Sequence, residues 1–275
     1  MKLNSRASSA MVELHKTPSM PRFEATNPLH FILYVLAIAF VVWSFTSAGP
    51  SLEQLLRGLP NIGAMLQRMF PPDIERIDRI LWSLFQTFQM AVAGCAIGLV
   101  LSVPLAILAA EGLSPHPVVR LAARSLIATF RTVPDLVWAL IFVIAVGLGS
   151  PAGVLAIAID VMGFAGRFFA EAMEETDKGP REALTAIGAS RIGVIVSAII
   201  PAVLPSMIAT SLYCLEKATR ASVVLGLVGA GGIGVELKVA FDLFAYSTAC
   251  TIILVILALV ICVEQAGGWL RRRII

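Results

Sequence analysis

The residues of this chain that could do chemistry are few. The only histidines are His15, His30 and His116. They form no paired His/Glu metal spacing and no Ser-His-Asp arrangement. No Gly-Lys pair occurs, so a Gly-x-x-x-x-Gly-Lys-Ser/Thr loop able to grip the phosphates of ATP is missing. No catalytic residue, no metal and no cofactor of its own is expected; any ATP would be spent elsewhere. What remains is chemistry of docking and charge. Arg181, Glu182, Ala183, Gly188 and Arg191 form a charged helical segment. Arg131, Asp135, Asp160 and Arg220 are ionisable groups in apolar surroundings. Gly229, Gly231, Gly232 and Gly234 cluster in one short run.

The first group needs a helix that faces water. Residues 177–191 are mostly polar and lie between two long apolar runs. Gly179-Pro180 precedes strong helix formers, and proline suits a first helical turn because its missing N–H would be unpaired anyway. Gly188 permits a sharp exit. Pro201 and Pro205 are expected to bend the next span. Small Ala183, Ala186 and Ala189 give a low profile that can slot into a cleft, with Arg181, Glu182 and Arg191 as pairing charges. An ordinary connector between helices is the plainer alternative.

The other two groups need to line a path. Arg131 and Asp135 flank Thr132-Val133-Pro134, where the helix is already interrupted, and stand one turn apart. They are read either as a mutual pair or as part of an anion path. A charge near the bilayer centre costs about 2.5–3.5 kcal/mol on insertion scales, so it faces a partner or a cavity. Asp160 lacks a partner in its own helix and is expected to meet Arg124 or Arg131. Glu216, Lys217 and Arg220 are placed at the outer end of the fifth apolar run, where Arg220 could steer an oxyanion or simply snorkel to the surface. Gly229-Ala230-Gly231-Gly232-Ile233-Gly234 satisfies Gly-x-Gly-x-x-Gly. It lacks the acid about twenty residues on that a dinucleotide fold needs. It is read as a tight helix-breaking bend near the outer surface, tolerated where protein or a watery cavity covers the freed backbone.

The elements that must hold these groups follow from composition. The chain has 275 residues, 58% hydrophobic and 14% charged, well below the roughly 25% charged of soluble domains. About six apolar runs reach spanning length: residues 29–45, 84–109, 129–147, 153–169, 194–215 and 245–263. No alternating pattern suggests barrel strands, so the class is an all-α integral membrane protein. With a cytoplasmic amino terminus, six spans return the carboxyl terminus to the same side. The inner segments then hold Lys2, Arg6, Lys16, Arg22, Arg120, Arg124, Arg167, Lys178, Arg181, Arg191 and Arg271 to Arg273. The outer segments hold only Arg57, Arg68, Arg76, Arg79, Lys217, Arg220 and Lys238. The basic excess lies inside, which puts the Glu182 segment in the cytoplasm. The modest net charge of +3 gives no reason to expect nucleic acid.

Residues 1–28 read as a polar cytoplasmic tail broken by prolines, and residues 29–275 as one membrane domain. Residues 1–28 are too mixed for a cleaved signal's n-region. Cys95, Cys214, Cys250 and Cys262 lack zinc or disulfide spacing and read as small buried hydrophobes. Leu52, Leu55, Leu56 and Leu59, then Ile74, Ile77, Ile80 and Leu81, predict two short amphipathic helices at the outer surface, separated by a turn at Pro71-Pro72-Asp73. Gly94 and Gly98 form a small-xxx-small spacing suited to close helix approach.

Three stretches go further. Arg131-Thr132-Val133-Pro134-Asp135-Leu136-Val137-Trp138-Ala139-Leu140, the Glu182-Ala183-Leu184 segment through Gly188, Arg191 and Pro201, and Arg220 through Gly234 together resemble phosphonate ABC-transporter permeases. The middle stretch resembles the EAA coupling loop of such importers, over about residues 171–201, with Leu184, Ala198 and Ile200 departing from the usual residues. Asp160 is a further departure. The resemblance implies a MetI-like ABC-importer permease fold in the bacterial inner membrane, acting as a homodimer among membrane lipids. It implies two copies of a cytoplasmic ATP-binding-cassette ATPase, which uses ATP and magnesium, and a periplasmic or lipid-anchored phosphonate-binding protein. Same-class permeases for methionine, phosphite or phosphate remain open here, as do a channel or a membrane enzyme.

Overall fold

The computed structural model describes residues 28–49 and 51–274. The tail through Asn27, with His15 and four of the basic residues counted inside, lies outside the described residues. Among those described, regular structure is helical throughout: α1 (Pro28–Ala48), α2 (Leu52–Met69), α3 (Ile77–Ala109), α4 (Pro117–Thr132), α5 (Asp135–Val146), α6 (Ser150–Glu174), α7 (Lys178–Ala186), α8 (Arg191–Ala230), α9 (Ile233–Asp242) and α10 (Tyr246–Ile274).

Two units are distinguished, residues 1–62 and 63–275. In the first, α1 is apolar on every side and none of its spanning window is buried, as a helix bathed in hydrocarbon would be. In the second, α3, α6 and α8 enclose the main core, with Met90, Cys95, Ile157, Val161, Phe169, Cys214 and Leu225 inside it. Close approach depends on the predicted small residues. A Cβ on Gly94 would stand 2.7 Å from the Ile157 Cβ, and one on Gly98 would stand 2.6 Å from the Ala158 carbonyl oxygen.

Five helices are long and apolar enough to cross a membrane, and α4 with α5 makes a sixth if that bent pair is one span. This agrees with the six runs read from sequence, with one refinement at the Pro134 interruption and two corrections. The third run is no straight helix: α4 and α5 meet at 92°. Pro134 has no N–H to donate and disfavours helix at the residue before it, and Val133 is extended (φ −78, ψ 122). The fifth run does not stop near Leu215. It continues as α8 to Ala230, through a wide π-type turn at Ile195–Ile199 and a kink at Gly229 (φ 95, ψ 10), so Lys217 and Arg220 belong to the same long helix rather than to a segment after it. Of the two amphipathic surface helices, only α2 exists as such. Ile77, Ile80 and Leu81 are the opening turns of α3.

The Pro71-Pro72-Asp73 turn ties α3 to the start of α10. The Asp73 carboxylate accepts from the Glu75 amide (2.9 Å) and the Thr248 hydroxyl (3.0 Å), and its carbonyl oxygen accepts from Thr251 (2.6 Å).

Candidate functional site: a polar hairpin and a charged, glycine-broken helix

The predicted coupling helix is α7. Asp177 caps it by accepting from the Gly179 amide at 3.1 Å, satisfying one of the donors that a helix start leaves free. At its far end Gly188 takes φ +84. Its N–H donates to the Thr185 carbonyl (3.0 Å) and that of Ala189 to the Leu184 carbonyl (3.0 Å), a left-handed closure of the kind glycine allows. Ser190 then caps α8 by accepting from the Gly193 amide at 3.2 Å. Leu184 and Ala189 face the core, while Glu182, Ala183, Ala186 and Gly188 are exposed. Arg181 turns inward instead: its guanidinium donates to the Gly112 carbonyl at 2.5 Å, tying α7 to the α3–α4 turn. Arg181 and Arg191 border one shallow recess with Gly112, Thr185 and Ala189.

Two side chains on this surface escaped the sequence reading. Ile187 is 79% exposed and Ile192 74%, large apolar groups standing out of a polar segment. The signal was present, since an isoleucine sits directly before the turn glycine, but periodicity alone assigns such a residue to the core.

At the Pro134 break, Arg131 and Asp135 are not brought together. Among the described residues no ion pair joins them. Arg131 ends α4 exposed, and Asp135 sits in the first turn of α5, where the helix dipole favours a carboxylate. Arg131 lines a cleft of about 310 Å³ with Arg124, Arg167, Glu171 and Glu174. Arg124 pairs with Glu174 (2.5 Å) and Arg167 with Glu171 (2.6 Å).

The glycine run is a backbone break flanked by α8 and α9, with no strand, and a dinucleotide fingerprint has no place there. Gly229, Gly231 and Gly232 take φ of +95, +84 and +75. Thr87 of α3 holds the restart: its hydroxyl donates to the Ser83 carbonyl (2.8 Å) and accepts from the Ile233 amide (2.7 Å), fully buried. Replacing it by valine keeps the shape and leaves a buried N–H unpaired, at a cost of about 1–3 kcal/mol. Thr87→Val is therefore expected to lower the thermal midpoint of the detergent-solubilised protein. An unchanged midpoint would show that the break needs no support from α3.

Asp160 does not meet Arg124 or Arg131 as predicted. It accepts from Lys217 Nζ of α8 at 2.6 Å; Arg124 is already engaged by Glu174. One position earlier on α8, Glu216 is 6% exposed and accepts from Arg271 of α10 at 2.6 Å. Neighbouring residues on α8 thus point to opposite sides, one toward α6 and one toward α10. Arg220 is exposed.

Residues 102–275 match the family described as binding-protein-dependent transport system inner membrane component. The chain is 42% identical to the phosphite transport system permease protein PtxC of Stutzerimonas stutzeri over 79% of both chains. It is 43% identical to the phosphate-import permease protein PhnE of Mycolicibacterium smegmatis over 79% of this chain and 41% of that one. Among solved structures, an inward-facing MetNI methionine ABC transporter superposes with a TM-score of 0.65 at 21% identity, covering 73% of this chain and 99% of that one, a likeness of fold. With the spans, the broken helices and the α7 hairpin in place, this chain belongs to the binding-protein-dependent transport system inner membrane components.

Proposed function

We propose that this chain is the membrane-spanning subunit of an ABC importer for phosphorus oxyanions, phosphite or phosphonate foremost and phosphate next. The observation that carries the substrate class is the 42% identity over 79% of the chain to a phosphite permease. Two copies would enclose the path, two cytoplasmic ATPases would drive it, and a separate binding protein would deliver the solute. Both termini and α7 would be cytoplasmic.

In this reading α7 is the lever. The exposed Glu182, Ala183, Ala186 and Ile187 meet the ATPase, and Arg181 carries motion to the α3–α4 turn through Gly112. The Ser190 cap carries it directly into α8. Closure of the ATPases on ATP opens the path outward, and hydrolysis resets it. The permease need not hold its solute tightly, because a ligand shifts an equilibrium only by its differential affinity for the two states.

The test is growth of a host that lacks its own phosphite and phosphonate importers but keeps enzymes that oxidise phosphite and cleave the carbon–phosphorus bond, given this chain with its ATPase and binding protein. Growth on phosphite or methylphosphonate as sole phosphorus source is expected. Growth on neither, with methionine uptake instead, would overturn the substrate assignment.

A further inference from the structure

We propose that Lys217 and Arg220 form an anion-binding step inside the translocation path, with Asp160 as a built-in counter-anion that holds Lys217 until the solute displaces it. The inference rests on the importer reading above and names the residues that would meet its solute. Asp160 lies near the middle of the 25-residue α6, and its bond to Lys217 places that lysine at the same depth. Tyr213, Lys217, Arg220 and Val224 follow one another at three- and four-residue steps, so they share one face of α8. That face is not sealed: Tyr213 is 46% exposed, Arg220 is exposed, and the Lys217 side chain remains 34% exposed against 15% for Asp160.

Facing lipid, such a strip of charge is strongly disfavoured. It therefore fronts water or a second copy, which is where a path between two copies would run. Its walls suit a desolvated ion. Phe164 and Tyr213 stack at 5.4 Å, and Lys217 Nζ sits 5.2 Å over the Phe164 ring. Two cations against one carboxylate leave a net positive charge. Arg220 offers a planar fork matched to an oxyanion and Lys217 a compact point charge. A doubly charged phosphorus oxyanion competes with the Asp160 carboxylate for Lys217; a zwitterion such as methionine competes poorly.

The test uses the complete transporter in proteoliposomes, with ATPase and binding protein, and labelled phosphite and methylphosphonate as probes. Lys217→Gln is expected to lower uptake about tenfold to a hundredfold, while the ATPase subunit still co-purifies with the chain. Asp160→Asn should tighten the apparent KM and slow maximal uptake, because Lys217 would then grip the solute without a competitor. The neutral pair Asp160→Asn with Lys217→Met guards against misfolding, since replacing both members of a buried ion pair is often harmless to stability. If the pair is only structural, that double variant restores uptake, which would overturn the proposal. If it inserts normally and still fails to transport, the site stands. Wild-type protein moving neither probe would remove the substrate reading and this site with it, an outcome distinct from rescue by the double variant.

Discussion

Gly188→Asp should insert and fold normally and yet lose uptake, about thirtyfold or more. A Cβ at Gly188 meets nothing within 4 Å, so the substitution causes no clash within the chain. The constraint is conformational, since φ is +84. Aspartate is among the few L-residues that visit the left-handed region routinely, so its intrachain cost falls at the low end of the usual 1–2 kcal/mol. The larger effect is at the proposed ATPase interface. There a carboxylate would be buried beside Ile187 without a partner, and an unpaired interfacial charge costs about 2–5 kcal/mol, which converts to the stated loss at about 1.4 kcal/mol per tenfold. Co-purification of the ATPase subunit with the variant reads the same defect without transport. Retained binding and uptake would remove α7 from the coupling role and leave it an ordinary connector.

Gly234→Ala is expected to have an effect of similar size for the opposite reason. The backbone at Gly234 needs no glycine conformation; its space does. A Cβ there would fall well inside van der Waals contact of the Val223 carbonyl oxygen and 2.8 Å from the Gly226 Cα. Both are backbone atoms, which cannot rotate away. Overpacking of this kind costs about 1–3 kcal/mol and more where nothing yields. Here it would push α9 off α8 and pull Ile233 from Thr87. The expected result is a lower thermal midpoint together with loss of uptake, while ATPase binding at α7 survives. Wild-type stability in Gly234→Ala would show that the α8–α9 crossing is looser than its geometry implies. The two glycine variants therefore separate docking from path integrity, each leaving the other's readout intact.

The reach of the sequence differs between these sites for physical reasons. The α7 hairpin was legible because polar helix formers, Pro180 and Gly188 stand between apolar runs, and local signals suffice to place a short exposed helix. The glycine bend was legible because several glycines in one run have no other use in a span. The Asp160–Lys217 bond was not, since its partners are 57 residues apart and the pairing depends on how α6 packs against α8. Reading Lys217 as a surface charge also ended the fifth helix too early, because hydropathy counts a charge before asking what neutralises it. At Pro134 the interruption was legible from the proline itself, while the size of the 92° bend depends on how α4 and α5 pack against α6. Arg181, read as a docking charge, is also hydrogen-bonded to the protein's own α3–α4 turn, and the exposed Ile187 beside Gly188 was missed because periodicity alone assigns an isoleucine to the core.

On the importer reading, force enters this chain from outside through α7. Purified protein in proteoliposomes, supplied with labelled phosphite and ATP and with ATPase and binding protein present together or left out one at a time, tests it directly. Uptake that requires ATP and both companions is the expected result; solute movement by the chain alone would rule out an external motor.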